Sequence, residues 1–322
     1  MSHSLGNRMT QQIKRELGRM IAGSFYDHQE VRITEFNRIR DIIRRKLENI
    51  PLVGGREEKK KDKDKFKEKF VDKEIPTYLK KLIKEEKITE QEKGYIERIL
   101  DVQKNAEKYE KEYEKLMKEF VESEPIYVKF LVKIKGISVI LSANLIKEFG
   151  YCENAFYISS LWKYCGMHVV GGEAPVRKKG EKLEFNARLR TMVWKISDSF
   201  VKQRTPFYRN IYDREKKKQV KMLEDFIGSL SKEDSKKFKK IKKRDEKRKF
   251  VSEFNPKAPV SLMNADLRAR RKMVKIFLAH YWQACKELSQ RQKETREEIA
   301  KPYAEDKLKH KKISNWKEAI SK

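Results

Sequence analysis

Long apolar runs are missing from this chain, and so is any surplus of cysteine. No stretch of about 18 apolar residues occurs, so no membrane-spanning helix and no membrane partner are expected. The first residues lack the apolar segment of a signal peptide, which leaves the cytoplasm as the default compartment. Three cysteines, Cys152, Cys165 and Cys285, form an odd and widely spaced set, which excludes a disulfide framework as the basis of the fold. Period-two alternation is scarce, with only Met167–Val170 reading as a short strand. The expectation is an all-α protein. There is no nucleotide-binding glycine loop, no His-Glu-x-x-His and no convincing nucleophile–base pair. No cofactor and no catalytic residue are assigned.

What the chain has in excess is positive charge. Lys and Arg number 78 against 49 Asp and Glu in 322 residues, a formal net charge of +29. Self-repulsion of that size works against a compact state, so its use lies in attracting a polyanion. DNA is the expected partner, with RNA as the alternative.

Along the chain, Ile13, Leu17 and Ile21, and then Phe36, Ile39, Ile43 and Leu47, recur at helical spacing, with Arg38, Arg40, Arg44 and Arg45 free to face outward. Residues 1–55 therefore read as an N-terminal helical segment that stops near Pro51 and the Gly54-Gly55 pair. Residues 56–124 begin with a charged stretch, Glu57–Lys73, that supplies no core. In the same segment Tyr95, Ile99, Val102, Ala106, Tyr109, Tyr113, Leu116 and Phe120 are spaced alternately by four and three. That seam predicts a coiled-coil arm, with a homodimer as one outcome, or a long helical hairpin. An amphipathic helix packed on its own domain is the plainer alternative. Residues 125–210 hold 6 of the 13 glycines and read as the main core. Residues 211–255 are a charged helical insertion, and 256–322 a basic helix with a charged tail.

The segment 131–146 runs Leu-Val-Lys-Ile-Lys-Gly-Ile-Ser-Val-Ile-Leu-Ser-Ala-Asn-Leu-Ile and reads as a helix-hairpin-helix. Gly136 permits the turn, Ile137 is expected to anchor it, and Ser138 can cap the second helix. Ser142 falls where a small residue lets the two helices approach. Unpaired N–H groups at the start of the second helix suit a phosphate oxygen, and Lys133 and Lys135 add charge beside it. Such a motif holds backbone, not base edges, so affinity would depend steeply on salt and little on sequence.

Beyond the hairpin lie Lys147-Glu148-Phe149-Gly150, Leu161-Trp162-Lys163-Tyr164-Cys165-Gly166-Met167, Gly171-Gly172, the basic loop Arg177-Lys178-Lys179-Gly180, and Phe185-Asn186-Ala187-Arg188-Leu189-Arg190. In that order the motifs resemble the C-terminal domain of DEDD transposases, the bridge-RNA-guided insertion-sequence group related to the Piv invertase. The resemblance covers residues 125–210, and the family places a coiled coil ahead of this domain. It implies that Asn186, Arg188 and Arg190 open a helix aimed at nucleic acid. It also implies a nucleophilic serine before the Gly pair and an N-terminal ribonuclease-H-like domain. Here Val170 precedes Gly171-Gly172, and residues 1–94 lack the strands of such a domain. The expectation is a transposase-derived DNA-binding domain without the chemistry.

A second basic helix opens at Asp266. Leu267, Val274, Phe277, Leu278 and Tyr281 can pack inward, leaving Arg268, Arg271, Lys272 and Lys275 outward for phosphate. Cys165-x-x-His168 and His280-x4-Cys285 carry zinc-type donors, but core packing explains their segments better and no metal is assigned. Phe207, Tyr208 and Tyr212 interleave with Arg204 and Arg209; base stacking and core packing both fit them. Three readings result: a non-catalytic DNA-binding protein, a recombinase or nuclease subunit completed by a partner, and an RNA-binding module.

Overall fold

The computed structural model describes residues 2–48, 75–153, 155–169, 174–177, 180–292 and 313–321. Among them the regular elements are twelve α-helices and one 3-10 turn, with no strand; 167–169, expected as a short strand with Val170, have no regular structure. No helix among the described residues is long and apolar enough to cross a membrane. The stretch Glu57–Lys73, Val170–Gly172, and Lys178 and Lys179 lie outside the described residues. The chain divides into two compact units, Met20–Met117 and the combination of Met1–Arg19 with Lys118–Lys322.

The Met20–Met117 unit contains most of α1 (Ser2–Glu48), all of α2 (Ile75–Lys84) and most of α3 (Glu90–Glu122). Helix α1 is continuous, and its inward positions here are Ala22, Phe25, Ile39 and Ile43. The expected start of that face is displaced, because Ile13 and Leu17 are half-exposed. Ile39, Ile43 and Leu82 form a core with Phe36, Tyr78, Leu79, Ile88, Ile99 and Leu100. Thr89 and Glu92 make a reciprocal cap at the start of α3: the Thr89 N–H donates to Glu92 at 2.9 Å, and the Glu92 N–H to the Thr89 hydroxyl at 3.2 Å. Polar and aromatic contacts set the antiparallel register of α1 on α3. Lys46 pairs with Glu92, Gln29 and Arg32 both donate to Glu110, and His28 stacks on Tyr109 at 5.1 Å. Burial disfavours the Glu110 carboxylate, yet the bonds from Arg32 and Gln29 outweigh it and hold its pKa below the ordinary value.

The larger unit is organised around one helix. Its elements are α4 (Pro125–Lys129), a 3-10 turn (Leu131–Lys133), α5 (Val139–Phe149), α6 (Ile158–Tyr164), α7 (Ala187–Lys202), α8 (Pro206–Ser229), α9 (Lys232–Lys240), α10 (Arg244–Phe254), α11 (Leu262–Gln292) and α12 (Trp316–Ile320). Helix α11 packs on α4, α6, α7, α8 and α12. From Met273 onward it is apolar nearly all round: Met273, Val274, Phe277, Leu278, Tyr281, Trp282 and Cys285 are fully buried. A helix with that pattern belongs in a centre, not on a surface. Leu267 is a correction to the expected inward face, because the line Ala265, Ala269, Met273 turns in and leaves Leu267 half-exposed.

The polar groups of α11 in this core are hydrogen-bonded. The Tyr281 hydroxyl donates to the Gly150 carbonyl at 2.8 Å and the Trp282 indole N–H to Ala155 at 2.9 Å. His280 lies 2.9 Å from the Tyr208 hydroxyl and 3.2 Å from that of Ser314. Phe277 sits among Phe130, Phe200 and Tyr208, and truncating such a side chain typically costs about 3–5 kcal/mol. Tyr208 and Tyr212 are therefore core residues. The charged stretch 211–255 encloses a smaller core of its own, with Phe226 and Phe238 buried beside Val251 and Phe250 packed against them.

Candidate nucleic-acid interface

The hairpin is present, with a short first limb. Pro125 opens α4, which lasts five residues before a 3-10 turn carries the chain to Ile134. Gly136 adopts φ +93°, and a Cβ there would fall 3.0 Å from the Ser199 hydroxyl. Both facts require glycine. The carbonyls of Lys135 and Gly136 accept hydrogen bonds from Thr205 at 2.7 Å and Ser199 at 2.6 Å, so the turn is bolted to the junction of α7 and α8. Ser138 caps α5, its oxygen accepting from the Leu141 N–H at 3.2 Å. The N–H groups of Val139 and Ile140, in that first turn, have no acceptor within the helix. Lys133 and Lys135 are exposed. Ile137 is only half-buried; Phe130, Leu131 and Ile134 anchor the turn instead. Ser142 is fully buried and its hydroxyl has no partner, as expected of a residue needed for its size.

A second group assembles from three helices. Trp162 and Lys163 lie on α6, His168 follows it, Trp194 lies on α7, and Arg271, Lys272 and Lys275 lie on α11. The Lys275 ammonium sits 4.0 Å from the centre of the Trp162 ring, and the Trp162 indole N–H donates to the Lys275 carbonyl at 3.1 Å. Arg271 lies 6.0 Å from the Trp194 ring. Burial, then the charges of Lys272 and Arg271, bring the Lys275 pKa down to about 8. The helical spacing predicts a Lys275 that points freely outward; instead its ammonium is held over the Trp162 ring. His168 is likewise lowered, by burial first and then by Lys163, with Arg271 and Arg190 adding to the effect and Glu184 opposing it. Three cations thus act on His168 against the one opposing carboxylate, Glu184.

The other expected contact residues fall in different places. Arg188 is exposed at the start of α7, near Lys147, whose pKa is lowered by burial and then by Arg188 and Arg19 against Glu148. Arg177 is exposed. Asn186 is spent as the cap of α7, accepting from the Leu189 N–H at 3.0 Å while its amide donates to Tyr164 at 3.2 Å. Arg190 turns inward, 4.7 Å over the Phe185 ring and donating to the Pro175 carbonyl at 2.6 Å. Arg268 ties down the chain before α11, donating to the carbonyls of Lys257 at 2.6 Å and Ala258 at 3.2 Å. These three hold the scaffold. Lys178 and Lys179 are outside the described residues.

Helix α7 links the groups. Arg188, Lys195 and Lys202 recur every seven residues along its exposed side, spanning about 21 Å at 1.5 Å per residue. The hairpin turn stands at its C-terminal end, Lys147 near its N-terminal end, and Trp194 with Arg271 between them. Two acids beside this track are paired with cations. Arg270 bridges Asp198 at 3.2 Å and Asp266 at 2.6 Å, and Asp266 also accepts from Lys216 and Tyr212. Burial works against the Asp266 carboxylate, but those hydrogen bonds prevail and bring its pKa to about 2. His280 and Cys285 lie inside the core, and no group of three or more His, Cys, Asp or Glu among the described residues could hold a metal ion.

Compared with known protein families, characterised proteins and solved structures, the chain has no match.

Proposed function

We propose that this chain is a non-catalytic nucleic-acid-binding protein that grips the phosphate backbone along α7, with DNA as its partner and RNA as the alternative to be tested against it. The observation that carries the reading is the gathering of Lys163, His168, Arg271, Lys272 and Lys275 around two partly buried tryptophans, with Lys275 over Trp162 and Arg271 beside Trp194. Cations held together against their own repulsion, and set over aromatic faces, gain most when a polyanion arrives. The overall charge of +29 supplies the long-range attraction. The hairpin turn, with Lys133, Lys135 and the first-turn N–H groups of α5, offers a further phosphate seat at one end.

A transposase ancestry for residues 125–210 is part of this proposal; it rests on the motif order alone. The enzyme alternative draws no support from Asp198 and Asp266, which are both occupied by cations.

The test is fluorescence anisotropy with labelled duplex DNA, single-stranded DNA and structured RNA across a salt series. Duplex DNA should bind tightest, with affinity falling by a constant power of salt. Lys163→Glu with Lys272→Glu, both at exposed positions, should weaken binding at least tenfold while leaving the melting temperature unchanged. Equal affinity in that variant would remove the cluster from the interface, and a preference for RNA would replace DNA as the partner.

A further inference from the structure

The four-three seam on α3 is divided by the fold. Its Ala106 is buried and its Ile99 and Tyr113 half-buried, on the side of α3 that faces α1. The alternate residues, Tyr95, Val102, Tyr109 and Leu116, remain 54, 47, 51 and 42% exposed, with one side of the Tyr109 ring stacked on His28 of α1 and the rest open. They form one stripe with a period of seven, about 32 Å long. Four large apolar side chains in a continuous stripe are more than the scattered exposure expected of a surface helix.

Charge says what fits this stripe. The 33 residues of α3 carry ten carboxylates against seven cations, whereas the whole chain is +29. A polyanion has no reason to lie here. The positions flanking the stripe on its open side, also seven apart, are Arg98, Asn105, Glu112 and Glu119, all exposed. The series is antisymmetric about Asn105: positive toward the N-terminus and negative toward the C-terminus. On the other flank Ile96, Gln103, Glu110 and Met117 are buried or half-buried, with Glu110 held by Arg32 and Gln29. A parallel partner needs both flanks for its ion pairs, and one is occupied. An antiparallel copy needs only the open flank, where like positions face each other.

We infer that the exposed stripe of α3 is the seam of an antiparallel homodimer with its two-fold axis at Asn105. Tyr95 then packs near Leu116 of the second copy, Val102 near Tyr109, and Arg98 lies across from Glu112. Asn105 meets its own counterpart. A two-helix contact of this length is small for a stable interface, so the dissociation constant falls in the micromolar range.

Sedimentation equilibrium of the full chain, free of nucleic acid, tests this. The mass should rise from 38.5 kDa toward twice that value as concentration passes through the micromolar range. Val102→Glu with Leu116→Glu should hold the protein monomeric with its helical circular dichroism unchanged. Arg98→Glu alone should weaken the dimer about fivefold to tenfold, and Arg98→Glu combined with Glu112→Arg should restore it. Under oxidation Asn105→Cys should cross-link to its counterpart while Gln91→Cys should not. A monomer at every concentration to about 100 µM, as when residues 49–74 of the same chain cover the stripe, would overturn the proposal. So would a dimer indifferent to Val102→Glu with Leu116→Glu, or cross-linking through Gln91→Cys.

Discussion

Trp162 and Lys275 hold each other twice: the ammonium lies 4.0 Å from the indole ring, and the indole N–H donates to the lysine carbonyl at 3.1 Å. One bond fixes α6 on α11 and the other fixes a cation beside Arg271 and Lys272. The pair thus joins the scaffold to the proposed interface, and the two roles can be separated.

Lys275→Met keeps a stem of similar length on the Trp162 ring and removes the repulsion. Folding should gain about 1 kcal/mol, read as a higher urea midpoint, while affinity for duplex DNA falls several-fold. The pH dependence has a fixed sign. With the folded pKa near 8 and the unfolded value near 10.4, the penalty is fully present below pH 8 and relieved as pH rises between these values. Bound phosphate favours the charged form, so affinity should fall as pH rises through about 8. The wild type should show that fall, and Lys275→Met should lack the part of it due to this group. Identical pH profiles would separate Lys275 from the bound anion.

The hairpin turn calls for two separate variants. Gly136→Ala meets both the positive φ and the Ser199 hydroxyl at 3.0 Å, and should cost about 1–3 kcal/mol of stability. Lys135→Glu changes an exposed side chain and should leave the melting temperature within a degree or two. If the turn seats a phosphate, Lys135→Glu weakens binding and lowers the salt slope. If only Gly136→Ala affects binding, the turn is purely structural.

His280 sets a prediction at low pH. Burial brings its pKa down to about 4, against an unfolded value near 6.5. The folded protein holds the neutral ring, so stability is full above pH 6.5 and declines as pH falls toward 4. The loss attributable to this residue is of order 3 kcal/mol across that window. His280→Gln should start less stable, because the contact with Tyr208 is altered, and should show a flatter decline. A wild-type denaturation midpoint that stays constant between pH 6.5 and 4.5 would contradict this.

Local roles were legible in the sequence because local chemistry decides them. Ser138 caps a helix, Gly136 takes the left-handed turn, and Ser142 serves by its size, whereas Asn186, expected at the nucleic acid, is taken up as the cap of α7. The all-helical fold followed from the same spacing arguments. Direction of side chains did not. Arg190 and Arg268 carry charges that suggest solvent, yet each is drawn inward by carbonyls that the sequence does not place near them. Leu267 looks like core and is left outside by a drift of the buried face along α11. The tryptophan–cation cluster is invisible in the sequence for a related reason: Trp162 and Lys275 lie 113 residues apart, and neither Trp162 nor Trp194 has a local pattern marking its partner. The seam on α3 is legible as a period, but a period does not say which half a neighbouring helix will cover.

The stripe Arg188, Lys195 and Lys202 gives the last prediction. Lys202 pairs with Asp198 at 2.6 Å, so its charge is partly spent. Arg188 and Lys195 are exposed, and replacing each by Gln preserves length and helix propensity. Removing one phosphate-binding cation reduces the slope of log affinity against log salt by about 0.9. The double variant Arg188→Gln with Lys195→Gln should therefore flatten the slope by about 1.8, with weaker binding at low salt and a smaller difference at high salt. The effect should be the same for unrelated duplex sequences, because phosphates carry no base identity. A drop in affinity confined to one sequence would mean that α7 reads bases. An unchanged slope would mean that the backbone does not run along α7, and that the Trp162–Lys275 cluster acts without it.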